Sequence, residues 1–320
     1  MKYTGQIYRP PFEARSLLLQ VTRGCSHNSC SFCTMYRDVP FGIEPCEQIE
    51  EDLKEARELF PSARRVFLEN GDAFCLSAER LARIAEMIHE YLPLTEIITM
   101  YASVLNIRDK TDAELKRLRD LGIDQLNVGV ESGLDDALRY MNKGYTAAEA
   151  VRELKRLRSA GMDYAANVIL GGAGSGRQRE NAEATAALLN ETRPYLVFTG
   201  TLHSEPGCPL HEDLRTGAFR ENTFREYLEE EECLLENLKL QGSYFFGLHP
   251  SNVVQAYGVL DRDKEKLLGE VRRRKEELRE VLDLRPLRGR GRRGPSLKGS
   301  LKEPGKMISE RIQENRRQAV

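Results

Sequence analysis

A chain of 320 residues with 40% hydrophobic content has material for one large domain with additions. No charged-then-apolar leader and no apolar run of about 18 residues appears, so neither secretion nor membrane spanning is expected and the cytoplasm is the expected compartment. The net charge of −2 hides an asymmetry: residues 285–320 hold eleven Lys and Arg against three acids, a balance of +8, which leaves −10 on residues 1–284.

In chain order, short apolar runs alternate with longer amphipathic ones, the pattern of repeated βα units. Residues 16–22, SLLLQVT, read as a strand buried on both faces that ends at Arg23-Gly24. Residues 46–60 form a helical stripe of Ile49, Leu53, Ala56 and Phe60, and 64–70 a second strand. Helix 77–92, strand 96–102 and helix 111–122 follow, the last opening on a Thr111–Glu114 capping box and stopping at Gly122. Strand 125–131, a helix from about Asp135, helix 147–161, strand 164–172, helix 179–192 and strand 195–203 complete six βα-type strands. Six such strands either spread as a doubly wound sheet or curl into an incomplete barrel, and in both cases function gathers at their C-terminal ends.

After His203 the alternation stops. Two long charged helices are expected over 224–241 and 261–282, with GSYFFGLHPSN between them. The expected division is an N-terminal extension (1–13), a βα body (14–205), a mainly helical covering segment (206–284) and a basic tail (285–320). The tail's Gly, Pro, Ser and charge cannot build a core, so it is expected to be disordered, and its cations give it the means to attract RNA phosphate.

The first strand runs into VTRGCSHNSCSFCTMY, with cysteines at 25, 30 and 33. Seven cysteines are too few for a disulfide scaffold, and a close-set trio points to a metal in a reducing compartment. Zinc, with His27 as fourth ligand, is one reading, but a second ligand cluster is missing. Three thiolates suit a cubane iron–sulfur cluster whose fourth iron has no protein ligand.

This Cys-x4-Cys-x2-Cys loop, with Phe32 before its last cysteine, resembles the radical S-adenosylmethionine (radical SAM) superfamily, in particular its Elp3/MiaB-like branch. The more familiar first spacer is one residue shorter. Three later stretches match in order: FLENGDAF (67–74), LNVGVESGLDDALRYMNKG (126–144) and NVILGGAGSG (167–176). The resemblance implies an α/β fold, an incomplete (β/α)6 radical SAM barrel, with a [4Fe–4S] cluster and S-adenosylmethionine (SAM) as cofactors. It assigns Cys25, Cys30 and Cys33 to iron, with Phe32 shielding the cluster. It assigns Gly71, with Asp72 or Glu69 adding charge, to the SAM amino group, Glu131 and Ser132 to the ribose, Lys143 to the SAM carboxylate, and Val168, Leu170 and Gly171 to adenine. It implies reductive cleavage of SAM to methionine and a 5′-deoxyadenosyl radical, with electrons from a low-potential donor such as flavodoxin or ferredoxin.

Cys75 and Cys208 follow strand ends and are candidates for a hydrogen-atom donor or redox pair, and His249, in FGLHPSN, for a general acid or substrate contact. The substrate is left open between a small molecule and RNA. The competing function is an iron–sulfur electron-transfer or sensor protein, but cubane carriers use four cysteines and need no ribose or adenine motif.

Overall fold

The computed structural model describes residues 1–286. The expectation of a disordered basic tail therefore lies, beyond Pro286, outside the described residues.

The elements run β1 (Leu17–Gln20), β2 (Thr22–Arg23), β3 (Gly42–Ile43), α1 (Cys46–Leu59), β4 (Arg65–Glu69), α2 (Ala78–Tyr91), β5 (Ile97–Ala102), α3 (Val104–Arg108), α4 (Asp112–Asp120) and β6 (Leu126–Glu131). They continue with α5 (Asp135–Tyr140), α6 (Ala147–Ser159), β7 (Tyr164–Leu170), α7 (Gln178–Thr192), β8 (Leu196–Thr201), α8 (Pro209–Thr216), α9 (Phe224–Asn237), β9 (Tyr244–Phe246), β10 (Tyr257–Val259) and α10 (Leu260–Glu277). One eight-stranded sheet has the order β1-β4-β5-β6-β7-β8-β9-β10, parallel throughout except for the antiparallel β9–β10 pair. The six expected strands are its first six members, in sequence order, as successive right-handed βα crossovers produce.

The covering segment is not helical alone. Tyr244–Phe246 pairs in parallel with Leu196–Phe198, giving the open edge of β8 a partner, and β10 closes on β9. The first expected strand also divides: after β1, Val21 donates its N–H to Glu69 and accepts from Glu44, and Thr22–Arg23 pairs with Gly42–Ile43. This short ladder clamps the base of the cysteine loop. The capping boxes at Thr111, Thr146 and Thr223 are all formed.

Side chains alternate across each strand. Val66, Leu68, Ile98, Met100, Leu126, Val128, Val130, Ala166, Val168 and Leu170 belong to the core between sheet and helices. Their neighbours Phe67, Glu69, Tyr101, Asn127, Asn167 and Ile169 therefore face the other way, into the concave interior. Its floor is apolar: Phe12, Ala165, Leu196, Tyr244 and Phe246 form a separate cluster, with the Phe12 ring edge-on to Phe198 and Phe246 at 5.8 and 5.5 Å. The N-terminal extension thus plugs the barrel, and Glu13 locks it there by pairing with Arg65 at 2.5 Å.

Candidate functional site

The cysteine loop lies over the C-terminal ends of β1, β4 and β6. Its three thiols are half-buried and form no disulfide. The loop backbone is fixed from within by Arg37, which donates to the carbonyls of Cys33 (2.8 Å) and Cys30 (3.0 Å). It is stitched to the turn after α5, where Ser31 N–H donates to Met141 O (3.1 Å) and Asn142 Nδ2 to Ser29 O (2.9 Å).

Gly71 gives the β4 end its closeness to this loop. Its N–H donates to Gly24 O at 3.1 Å, and a Cβ there would stand 2.6 Å from Cys25 Cβ and 2.9 Å from Cys25 Cα. Only glycine allows that approach. Asp72 is committed to the same joint: its carboxylate accepts from Ser26 N–H (2.9 Å) and Ser26 Oγ (2.5 Å). The aspartate expected at the SAM amino group thus works first as a cap on the cysteine loop.

Across the loop, β6 ends in a bulge between Gly129 and Glu131, and Glu131 adopts φ 62°, a left-handed conformation that strains a residue with a Cβ. The bend turns its carboxylate back over Gly129, where it accepts from Lys143 Nζ at 3.0 Å; both side chains are about nine-tenths buried. Burial alone would weaken the Lys143 ammonium, but Glu131, then Tyr145 and Cys30, hold its pKa well above the ordinary value. Lys143 acts in turn on Cys30. Burial pushes that thiol up, yet the Lys143 ammonium and the adjacent His27 bring it below its usual value. Cys25 is pushed up to about 12 by burial and Asp72, and burial raises Cys33.

These features test which metal the trio fits. His27 Nε2 donates to Asn142 O at 2.7 Å, so that nitrogen has no lone pair for a metal. Among the described residues no group of three or more His, Cys, Asp and Glu side chains is set closely enough to hold one ion. A tetrahedral zinc needs its ligands drawn to one point, whereas each thiolate on a cubane meets a separate iron. The donor set fits the cluster.

The residues expected at adenine lie in the helix-facing core and in the turn after β7. Val168 and Leu170 lie in the helix-facing core, because residues of that parity point away from the interior. Asn167 and Ile169 occupy the inward positions instead. Gly171 stands at the β7 end with φ 85°, and a Cβ there would meet the Tyr227 ring at 2.5 Å. Its N–H donates to Glu230 (2.9 Å), which also accepts from Asn181 (2.6 Å); Asn181 in turn accepts from Ser132 Oγ (2.5 Å). Ser132 and Gly171 are thereby tied together through α7 and α9. Phe32 packs against the cluster of Leu202, Cys208, Leu210, Leu214 and Phe219, and Leu210 N–H donates to Ser31 O at 3.0 Å.

Cys75 and Cys208 are not joined. Cys75 lines a cleft of about 540 Å³ with Ser26, His27, Asp72 and Asn106, its thiol pushed up to about 11 by burial and Asp72. Cys208 is buried in the apolar cluster, its Sγ directed at Glu205 O (3.2 Å). His249 is half-buried beyond β9, edge-on to the inward Phe198 ring at 5.9 Å. Its Nδ1 accepts from Ser251 N–H at 3.2 Å, which leaves the proton on Nε2 in the neutral ring; burial and then His203 lower its pKa. Sequence reading missed the inward Asn127 and Asn167, although an asparagine within an apolar strand run is itself a signal.

Comparison with known proteins agrees with this geometry. The Radical SAM superfamily model matches residues 19–189. The chain is 26% identical over 215 residues to a tRNA-2-methylthio-N(6)-dimethylallyladenosine synthase of Trichlorobacter lovleyi, covering 63% of this chain and 48% of that one. It is 26% identical over 141 residues to the heme chaperone HemW of Lactococcus lactis, covering 43% and 36%. The chain thus spans about half the length, or less, of these curated relatives. Among solved structures, methylornithine synthase (PylB) superposes with TM-score 0.51 at 15% identity over 93% of this chain and 80% of that one. The Elp3 of Methanocaldococcus infernus gives TM-score 0.50 at 14% identity over 83% and 63%. Among the described residues no helix is long and apolar enough to cross a membrane. With its cysteine loop closed against the ends of β4 and β6 and more than half its length matched by the family model, the chain belongs to the radical SAM superfamily, whose members bind a [4Fe–4S] cluster and SAM.

Proposed function

We propose that the protein is a radical SAM enzyme that cleaves SAM reductively at a [4Fe–4S] cluster on Cys25, Cys30 and Cys33, and so removes a hydrogen atom from a substrate held in the barrel interior. The observation that carries this reading is the approach of Gly71 to Cys25, which closes the β4 end onto the cysteine loop. When bound, the cluster and SAM supply a 5′-deoxyadenosyl radical as the hydrogen-abstracting species.

The chain's own residues bind, orient and exclude. The three cysteines ligate iron as thiolates, and Lys143 favours the thiolate at Cys30. Phe32, packed on the Cys208 cluster, keeps water from one side of the site. Glu131, anchored by Lys143, presents a carboxylate to vicinal ribose hydroxyls, and Ser132 fixes the turn that aims it by accepting from Leu134 N–H at 2.9 Å. Gly71 offers backbone to the SAM amino group, and the Gly171 turn, held by Glu230, borders the adenine. His249 stands beside Phe198, and its Nε2 proton would be available to a substrate reaching that ring. A low-potential carrier such as flavodoxin or ferredoxin supplies electrons, and the substrate class lies between a small molecule and RNA.

Anaerobic reconstitution tests the reading. The full chain should take up one [4Fe–4S] cluster, lose it in Cys30→Ala, and release 5′-deoxyadenosine when given dithionite and SAM. Stoichiometric zinc without sulfide would overturn the cluster. A cluster that neither binds nor cleaves SAM would make the protein an electron carrier or sensor instead.

A further inference from the structure

The concave face of the sheet carries polar groups that no contact within the protein satisfies. Glu69 is fully buried, and neither carboxylate oxygen has a hydrogen-bond partner. Asn127 on β6 and Asn167 on β7 each hold a buried side-chain oxygen in the same state. Buried acceptors are normally paired, so three on one face require an explanation.

Register sets them along one stretch of the sheet, on β4, β6 and β7, with β5 and its Tyr101 between Glu69 and Asn127. Leu68 stands opposite Met100, which brings Glu69 alongside Tyr101; Tyr101 stands opposite Asn127, and Gly129 opposite Asn167. The oxygens themselves are covered, but the face opens beside them. Inward Tyr101, Gly129, Asn167 and Phe198 are all partly solvent-accessible, whereas helix-facing Met100, Val128, Val168 and Val197 are buried. Gly200, two residues beyond Phe198, would direct a Cβ into open space, with nothing within 4 Å.

The unmet oxygens are acceptors, and the nearby cations do not meet them. Lys143 is already paired with Glu131. Arg9 is exposed and lowers the Glu69 pKa only through its field, without a hydrogen bond to it. We propose that Glu69, Asn127 and Asn167 form a substrate subsite for the ammonium group of an amine-bearing small molecule. The carboxylate takes the charge, and the amide oxygens take the remaining N–H donors. An ammonium offers three donors and no acceptor, the complement of what this face presents. Burial pushes Glu69 up to about 8, so the unliganded site is held largely neutral near pH 7, and an arriving cation restores its charge. The subsite rests on the radical SAM reading only in treating the barrel interior as the substrate's place.

The test uses butylammonium, butyrate and butanol as probes on the full chain, with and without its cluster, followed by saturation-transfer NMR. Butylammonium alone should bind, weaken by about tenfold or more in Glu69→Gln, and bind more tightly to Asn167→Asp. Glu69→Gln is nearly isosteric and removes a buried ionisable group, and circular dichroism checks both variants. Equal binding of butyrate or butanol, or an unchanged butylammonium affinity in Glu69→Gln, would overturn the proposal. So would a loss of SAM affinity in Glu69→Gln as large as the loss for the amine, which would give the carboxylate to SAM's own amino group. Amine binding in a chain that never cleaves SAM would sink the radical reading and leave this subsite standing; SAM cleavage without amine binding would do the reverse.

Discussion

Replacing Gly71 with alanine isolates the joint between β4 and the cysteine loop. The added Cβ would lie 2.6 Å from Cys25 Cβ and 2.9 Å from both Cys25 Cα and Gly24 O. Carbon atoms rest about 3.5–4.0 Å apart, so roughly 1 Å of separation has to be found. Nothing soft is available to give it. The neighbours are backbone and a β-carbon, the Gly71–Gly24 hydrogen bond spans 3.1 Å, and Asp72 grips Ser26 through two more bonds. Overpacking of this kind costs about 1–3 kcal/mol, and each 1.4 kcal/mol is about tenfold in an equilibrium.

The cost falls on the loop rather than on the helix-facing core, so the variant should fold while holding iron and SAM poorly. Iron and sulfide per chain after anaerobic reconstitution, together with a SAM titration, should show a roughly tenfold or greater loss of affinity. Gly269→Ala, on an exposed face of α10 with nothing within 4 Å, is the control and should raise the melting temperature slightly. Full cluster occupancy and undiminished SAM affinity in Gly71→Ala would refute the reasoning.

Lys143→Met leaves the Glu131 carboxylate buried without its partner and should destabilise the cluster-free chain by about 3–5 kcal/mol in urea unfolding; a loss below about 1 kcal/mol would mean that water already screens the pair. Burial, and then Glu230, push Glu231 up to about 8, while burial lifts Glu230 to about 7. The folded chain then holds protons that unfolded carboxylates have released above about pH 4.3, so stability should fall as pH rises from about 5 to 8. Glu69, also raised to about 8, acts with the same sign, so Glu231→Gln should flatten the melting-temperature profile in part; an equally steep profile would disprove the assignment. Cys75→Ser should keep the full cluster, since Cys75 lies in the outer cleft and not in the ligand set.

What was legible in the sequence follows from how local its cause is. Apolar runs bounded by Gly and charged residues located the six βα-type strands, and the cysteine spacing located the metal loop, because both signals are contained in a few neighbouring residues. Val168 and Leu170 fall on the helix-facing side of β7, a parity that the sequence marked only through the single Asn167 in an otherwise apolar run. The strand Tyr244–Phe246 was hidden for a different reason: three residues become a strand only where β8 offers unpaired backbone. Asp72 was read as a ligand-facing charge since nothing in its vicinity in sequence reveals that Ser26, 46 residues earlier, claims both of its oxygens.

The segment after β8 is part of the site's construction rather than a cover laid over it. α9 meets α7 and the β7 end, and its Glu230 accepts from Gly171 N–H, Asn181 and Asn222 together. Asn181 passes the constraint to Ser132 at the end of β6, so one buried carboxylate fixes the turns after two adjacent strands. Tyr227, on the same face of α9, fills the space that the missing Gly171 side chain leaves. Holding a carboxylate in such surroundings is costly, as the raised Glu230 pKa records, and its three donors offset part of that cost. A turn that must present backbone to a ligand cannot also be secured by its own side chains. The helix supplies the rigidity from behind, which leaves the front of both turns open toward the barrel interior.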